Sequence, residues 1–126
     1  MKDVLIVDDS ALARMIVRRC LTAAGLADAS FREAPDGLAA LEAARAATPD
    51  LIVADVNMPR LDGEGLLVAL GQDATLRLVP VVMCSSAVNE AKAEHLHRLG
   101  ARAVLKKPFA PHELRAAIGV VASGAA

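Results

Sequence analysis

The sequence predicts an α/β fold built around a parallel sheet with helices on both faces. Strand-like apolar runs alternate with helix-like segments five times along the 126 residues, a pattern typical of such sheets. The first run, Val-Leu-Ile-Val at residues 4–7, is uniformly apolar, as expected of a strand buried on both faces. Because 55% of the residues are hydrophobic, we expect one core in a single domain over residues 1–122, followed by a tail or the start of a linker at residues 123–126.

Composition argues against several classes of protein. The net charge is −1, so no basic surface indicates nucleic-acid binding. No apolar run approaches the roughly 18 residues that a membrane helix needs, and the N-terminus has no signal-peptide pattern. Cys20 and Cys84 lie far apart in apolar surroundings and form no CxxC motif. We therefore expect a cytoplasmic protein with reduced core cysteines and no direct contact with nucleic acid or membrane.

The first half of the chain contains two strands and two helices. Residues 4–7 form the first strand, and residues 11–24 form a helix that Gly25 ends. One apolar face of this helix consists of Leu12, Met15, Ile16, Cys20 and Ala23. A weaker strand at residues 29–33 is expected at an edge of the sheet, and the turn at residues 35–37 leads into a helix over residues 38–47.

The second half continues the alternation with three further pairs. Pro49 closes the second helix before a strand at residues 51–54, and a loop with Pro59 and Gly63 leads to a helix around residues 64–71. Pro80 opens a strand at residues 81–84, and a helix over residues 90–99 follows it. The last strand covers residues 103–106, and the final helix repeats Leu114, Ile118 and Val121 at helical spacing.

Polar side chains follow four of the five predicted strands. They are Asp8 and Asp9 after the first strand, Asp55 after the third, Ser85 and Ser86 after the fourth, and Lys107 after the fifth. Ligands of open α/β sheets bind beyond the carboxyl ends of the strands, so we expect these residues to line one crevice. Each acid alone would suit a helix cap, the lysine a solvated loop and the serine a turn, whereas their joint occurrence indicates a site.

Three carboxylates in one crevice would repel each other, and a divalent cation would relieve that repulsion. The candidate ligands are all oxygens, which favours magnesium, or manganese, over zinc. We expect Asp9 and Asp55 to be direct ligands and Asp8 to act through water. Magnesium usually takes one or two carboxylates together with phosphate oxygens, so the site suits phosphate chemistry.

Asp55 is the central acid, and a carboxylate can accept a phosphoryl group to form an aspartyl phosphate. The carboxylate is already ionised, so no general base is required. The metal and Lys107 would offset the charge that builds up on the transferring oxygens. The hydroxyl of Ser85 could hydrogen-bond to one of those oxygens.

Four stretches, VLIVDD, LIVADVNMPRLDG, VVMCSSA and GARAVLKKPF, resemble the receiver domain of bacterial two-component response regulators. The resemblance runs from residue 2 to about residue 121, with the motifs in the family's order and spacing. It implies a flavodoxin-like fold with the strand order 2-1-3-4-5, and a cis peptide bond between Lys107 and Pro108. It also implies roles for individual residues: Asp55 as phosphoacceptor, Asp8 and Asp9 as the acidic pair, Asn57 as a metal ligand through its backbone carbonyl, Ser85 as switch hydroxyl and Lys107 as phosphate-binding lysine.

The resemblance further implies a mode of signalling. A sensor histidine kinase or a phosphotransfer protein would supply the phosphoryl group, and a downstream protein would bind the face made by the fourth helix, the fifth strand and the fifth helix. Such a domain catalyses only its own phosphorylation and dephosphorylation. The sequence departs from the family at switch positions: Ser86 follows Ser85, Ala87 comes next, and Val104 stands where a rotating aromatic residue is common.

Three other functions remain as alternatives. A magnesium-dependent aspartyl-phosphate hydrolase would typically carry a second acid two residues after the first, but here Asn57 stands at that position after Asp55. A nucleotide-binding domain would need a glycine-rich first loop, and residues 8–11 are acidic and lack glycine. A receiver-like scaffold that takes no phosphate is disfavoured by the intact acids and lysine, although Val104 leaves room for it.

Overall fold

The computed structural model describes residues 1–122 and has the predicted architecture. Its sheet contains five strands in the order β2-β1-β3-β4-β5, and every neighbouring pair is parallel. The strands are β1 (Asp3–Val7), β2 (Ser30–Ala34), β3 (Leu51–Asp55), β4 (Val81–Ser85) and β5 (Ala103–Lys106). The helices are α1 (Ala11–Leu21), α2 (Gly37–Ala46), α3 (Gly63–Gly71), α4 (Glu90–Arg98) and α5 (Pro111–Ala122). The flavodoxin-like fold class and its strand order are therefore confirmed.

The sheet separates two apolar clusters, because successive side chains of a strand point to opposite faces. Val4 and Ile6 of β1 pack with side chains of α1 and α5 on one face. Leu5 and Val7 pack on the other face, with side chains of α2, α3 and α4. All four of these β1 side chains are buried, which confirms that the strand is covered on both sides.

Most of the predicted bounds agree with the structure to within a residue or two. Strand β2 lies at an edge of the sheet, as predicted, and β4 extends one residue further, to Ser85.

Both cysteines are buried and free, and burial raises the pKa of the Cys84 thiol to about 12. Within residues 1–122 no helix has the length and apolar character to cross a membrane. The predicted tail at residues 123–126 lies outside the described residues.

The apolar face predicted for the first helix is correct at Cys20 but wrong at Leu12, Met15 and Ile16. Leu12 and Ile16 are 61% and 49% exposed, and the residues of α1 that reach the core are Val17, Cys20 and Leu21. An open groove beside the loop after β5 explains the difference, because it leaves the outer side of Ile16 uncovered. The helix is also shorter than predicted: it continues as a wider turn, Thr22–Leu26, in which Gly25 adopts a φ of +112°.

Helices α1 to α4 begin with the same capping device just beyond the strand ends. The side chains of Ser10, Asp36, Asp62 and Asn89 each accept a hydrogen bond from a backbone N–H in the first turn. These caps satisfy amide groups that would otherwise lack a partner in the helix. They also fix the loops at the carboxyl edge of the sheet, where the predicted site residues lie.

Candidate functional site

The structure brings the predicted strand-end residues together at the carboxyl edge of the sheet. One carboxylate oxygen from each of Asp8, Asp9 and Asp55 lies within 4.8 Å of the other two. Strands β1 and β3 are neighbours, which places the first two acids beside the third. The proximity predicted from the sequence is therefore present, although these acids reach it from two separate loops.

Lys107 closes the crevice from the β5 side. Its Nζ lies 2.7 Å from Oδ2 of Asp8 and 2.9 Å from Oδ1 of Asp55. The backbone N–H of Lys107 donates a hydrogen bond of 2.8 Å to the carbonyl oxygen of Ser85, which ties the β5 loop to β4. The peptide bond between Lys107 and Pro108 is cis, as the family resemblance implies.

The charges in the crevice are unbalanced, because one ammonium group serves two buried or half-buried carboxylates. Burial raises the pKa of Asp55 above its ordinary value, and the hydrogen bond from Lys107 only partly opposes this rise. For Lys107, burial by itself would lower the pKa, but the hydrogen bonds to Asp8 and Asp55 outweigh burial and raise it. The lysine therefore stays charged, while the ionised form of Asp55 is disfavoured in the folded protein.

Asp8 and Asp9 are adjacent in sequence but have different surroundings. Asp8 is 3% exposed, and its Oδ1 accepts a hydrogen bond of 3.0 Å from the backbone N–H of Ser10. Asp9 is exposed, and its carboxylate has no hydrogen bond or ion pair with any of the described residues 1–122. Asp9 is thus the acid with most of its coordinating capacity unused.

The loop between β3 and α3 lies against the phosphoacceptor candidate. The backbone N–H of Asn57 donates to Oδ2 of Asp55 at 3.2 Å, while the Asn57 residue itself is exposed at the crevice. A Cβ on Gly63 would come within 2.7 Å of the Asp55 carbonyl oxygen and 2.4 Å of Met83 Cε. Glycine is therefore needed where α3 begins, because the helix approaches the end of β3 so closely.

Ser85 and Ser86 have different environments at the end of β4. Ser85 is 2% exposed, and its Oγ accepts a hydrogen bond of 3.2 Å from the backbone N–H of Ala87. Ser86 is exposed and lines the groove beside α1. Val104 is half-buried on β5 and packs against the cluster that includes α4.

The donor set fits a hard divalent cation. The three carboxylates lie close together, and the exposed Asp9 offers oxygens that no described protein group occupies. Neither histidine nor cysteine belongs to the cluster, which suits magnesium or manganese better than zinc. The lysine cannot neutralise the cluster alone, so a cation would lower its electrostatic energy.

Sequence reasoning missed one residue that touches the acidic loop, Arg14. Its Nη1 donates to the backbone carbonyl of Asp8 at 2.5 Å, and its Nε donates to Oε1 of Glu33 at 2.7 Å. A signal was available in the spacing, because Arg14 comes four residues after the helix cap at Ser10. A long side chain in the first turn of a helix points back toward the helix N-terminus, and here toward the loop.

Comparisons with known proteins agree with this geometry. The family model "Response regulator receiver domain" matches residues 4–119. A probable chemotaxis protein CheY of Rhizobium etli is 30% identical over 118 residues, which cover 94% of this chain and 90% of that protein. The crystal structure of the chemotaxis response regulator CheY4 of Vibrio cholerae has a TM-score of 0.84 and 33% identity, covering 96% of this chain and 98% of that one.

Other relatives are much longer than this chain. A protein-glutamate methylesterase/protein-glutamine glutaminase of Anaeromyxobacter dehalogenans is 42% identical over 108 residues, which cover 83% of this chain but only 29% of that protein. The chain therefore spans less than a third of that enzyme, and the similarity lies in a part that such proteins share with smaller ones.

Proposed function

The chain belongs to the response regulator receiver domain family and acts as a phosphoacceptor in two-component signalling, and we propose that Asp55 is the residue that takes the phosphoryl group. The observation that carries this assignment is the contact between Asp55 and Lys107 in a crevice that also holds Asp8 and Asp9. Of the three acids, Asp55 stands at the end of the central strand β3, with neighbouring strands on both sides. It contacts Lys107, which also pairs with Asp8, and it lies beside the two acids that follow β1.

The proposed transfer requires little from the protein beyond positioning and charge. A carboxylate oxygen of Asp55 attacks the phosphorus of a phosphohistidine, the P–N bond breaks, and its electron pair stays on the imidazole nitrogen. Lys107 neutralises part of the negative charge on the transferring oxygens. The Ser85 Oγ accepts a hydrogen bond from the Ala87 N–H, so its own proton would be available to donate to a phosphoryl oxygen.

Receiver domains generally bind magnesium through an acidic cluster, and we propose this cluster for the same purpose. Asp9 and Asp55 would coordinate directly, the Asn57 carbonyl would add a backbone oxygen, and Asp8 would act through water because Lys107 and Ser10 already occupy its oxygens. When bound, the cation offsets the combined charge of the carboxylates and the phosphoryl group. Manganese would serve the same oxygen ligands.

A histidine kinase or phosphotransfer protein is the donor partner that the family implies, and we propose that it docks beside α1. A groove of about 350 Å³, lined mainly by apolar groups of Ile16, Pro108 and Phe109, opens next to Lys107. Leu12 and Met15 extend the apolar surface along α1. A donor helix seated there would bring its phosphohistidine close to Asp55 and keep water out of the crevice.

We propose that a downstream partner binds the face formed by α4, β5 and α5. The loop of residues 85–90 joins the phosphorylation site directly to α4, so a change at Ser85 reaches that face by a short path. The domain itself is a signalling element acting on its own Asp55.

The test is phosphorylation by a small phosphodonor with magnesium, followed by intact-mass spectrometry. We expect one acid- and base-labile phosphoryl group on the wild type, none on Asp55→Asn, and slower labelling of Asp9→Ala because metal binding is weakened. Asp28→Asn, which changes an exposed turn aspartate in the same way, is the matched control and should label normally. If several donors leave the wild type unlabelled, the phosphate-free scaffold becomes the better account.

A further inference from the structure

Arg14 is a mostly buried cation that contacts the acidic loop without facing the crevice. Its side chain is 17% exposed, and its guanidinium group bridges the Asp8 carbonyl oxygen and the Glu33 carboxylate. Phosphoryl transfer at Asp55 gives this residue no direct role. Its contacts instead act on the loop that carries Asp8 and Asp9.

The hydrogen bond from Arg14 fixes a peptide plane. The carbonyl oxygen of Asp8 belongs to the planar unit that joins Asp8 to Asp9, so holding that oxygen also fixes the N and Cα of Asp9. On its other side, the N–H of Asp8 donates to the Ala34 carbonyl at 3.1 Å. The peptide groups before and after Asp8 are therefore both held.

Asp9 depends on this backbone restraint more than Asp8 does. Lys107 and the Ser10 N–H hold the Asp8 carboxylate directly. The carboxylate of Asp9 has no partner among residues 1–122, so the restraint on its backbone is the one that limits its positions. A loose Asp9 would have to be ordered when a cation binds, and the entropy lost would reduce the affinity.

Glu33 offsets the charge of Arg14. Its Oε1 accepts from Nε of Arg14 at 2.7 Å, and its Oε2 lies 3.6 Å from Nη1 of Arg18. An unpaired guanidinium this close to the loop would repel a divalent cation. With Glu33 in place, Arg14 supplies its hydrogen bond with little opposing charge.

We propose that Arg14, held by Glu33, is a positioning residue that orients Asp9 for divalent-cation binding. This inference rests on the proposed magnesium-dependent function of the acidic crevice. It gives an arginine of α1 and a glutamate of β2 a shared role in metal affinity, although neither is a ligand.

The sign of the effect separates positioning from simple electrostatics. If Arg14 acted only through its charge, then Arg14→Gln would remove a cation from the neighbourhood and strengthen Mg²⁺ binding. If Arg14 positions Asp9, the same substitution weakens binding, typically by about 10-fold for a residue that orients a ligand. Arg19→Gln, an exposed arginine on the same helix, gives the effect of removing one charge alone.

The experiment is a Mg²⁺ titration of the unphosphorylated chain, followed by amide chemical shifts at a temperature where every variant is folded. We expect the Kd for Mg²⁺ to rise about 10-fold in Arg14→Gln and less in Arg14→Lys, which keeps a donor. Glu33→Gln should also weaken binding, because it leaves Arg14 charged and less firmly held. Arg19→Gln should stay within about two-fold of the wild type, because its charge is screened by solvent and salt.

Phosphorylation by a small donor gives a second readout. In Arg14→Gln the Mg²⁺ concentration for half-maximal rate should rise, while the rate at saturating Mg²⁺ stays near that of the wild type. An unchanged or lower Kd in Arg14→Gln would overturn the positioning role and leave the proposed function intact. If the wild type shows no Mg²⁺-dependent shifts near Asp9 and Asp55, the metal site and the inference both fail. Should Arg14→Gln not fold, the Arg14→Lys titration decides.

Discussion

At the scale of single residues, Asp55 is held in its ionised form against the preference of its surroundings. Burial raises its pKa, and the nearby carboxylate of Asp8 adds to this rise, while Lys107 opposes it. The pKa of Asp55 is higher in the folded than in the unfolded chain. The free energy of unfolding therefore falls as pH rises from the unfolded-state pKa through the folded-state pKa. At neutral pH the charge of Asp55 therefore destabilises the fold, which is a cost of the nucleophilic role proposed for it.

Replacing that charge should stabilise the protein. We predict that Asp55→Asn raises the free energy of unfolding at pH 7, without metal, by about 1 kcal/mol, which is a typical size for one substitution. The gain should shrink as pH falls through the pKa of the folded-state Asp55, because the wild-type carboxyl then becomes neutral as well. Urea unfolding with a chelator present, repeated across acidic and neutral pH, measures this.

Asp28→Asn is the control, and it should change stability by less than about 0.5 kcal/mol, as expected of an exposed position. If Asp55→Asn were destabilised, or if its gain in stability did not depend on pH, the charge of Asp55 would not be what destabilises the wild type. Added Mg²⁺ should narrow the difference between wild type and variant, because a bound cation relieves the same repulsion.

The sequence was informative about the site because strand ends are easy to locate. Asp8, Asp9, Asp55, Ser85 and Lys107 all follow apolar runs, and parallel strands necessarily bring such positions to one edge. The role proposed for Arg14 is not predictable in the same way, because it depends on where a flexible side chain reaches, across a turn and toward another strand. Its spacing from the cap at Ser10 indicates that the side chain points back toward the loop, but not which groups it reaches there.

At the scale of elements, the start of α3 is packed against the end of β3 with no space for a side chain. A Cβ on Gly63 would lie 2.8 Å from Cα of Val56 and 2.7 Å from the Asp55 carbonyl, both of which are backbone atoms. We predict that Gly63→Ala destabilises the protein by about 2 kcal/mol, because the helix or the strand end must move. Thermal or urea unfolding measures the change.

Gly71, at the other end of the same helix, provides a matched control. A Cβ there would meet nothing within 4 Å, and its φ is not in the left-handed region. Gly71→Ala should therefore be neutral or stabilising by up to about 1 kcal/mol, because alanine favours helix. Equal losses from both substitutions would mean that close approach to β3 is not what requires Gly63.

Hydrophobic periodicity alone does not predict which face of α1 is buried. Its sequence offers apolar residues on more than one side, and the pattern alone selected Leu12 and Ile16 instead of Val17 and Leu21. The choice depends on which side the sheet covers and on the open groove beside Phe109, which are properties of the assembled fold. Strands are predicted more accurately than helix faces, because a strand buried on both faces is apolar throughout and no choice between its faces is needed.

At the scale of the whole molecule, the proposed signal has to pass from Asp55 to the face made by α4, β5 and α5. Ser85 is linked to Ala87 by a hydrogen bond of 3.2 Å, so movement of its hydroxyl disturbs the loop that enters α4. Helix α4 is tied to α3 by an ion pair between Lys92 and Glu64, and Nε2 of His95 lies 3.5 Å from Oε2 of the same glutamate. We expect the alternative route through β5 to contribute less, because Val104 is stiff at χ1 and too short to swing between two pockets.

We predict that beryllofluoride with magnesium, a stable substitute for the phosphoryl group, produces large amide shifts around Asp55 and residues 85–90 and modest shifts at Val104 and residues 114–121. A ligand shifts two states only by its differential interaction with them, so without an aromatic side chain on β5 the response on that side is smaller. Val104→Tyr should enlarge the β5 and α5 shifts if a pocket for the ring exists, and Glu64→Gln should enlarge those of α4 by releasing its tie to α3. Shifts in the wild type that are as large across Val104 and α5 as at residues 85–90 would show that the signal leaves through β5 without an aromatic switch.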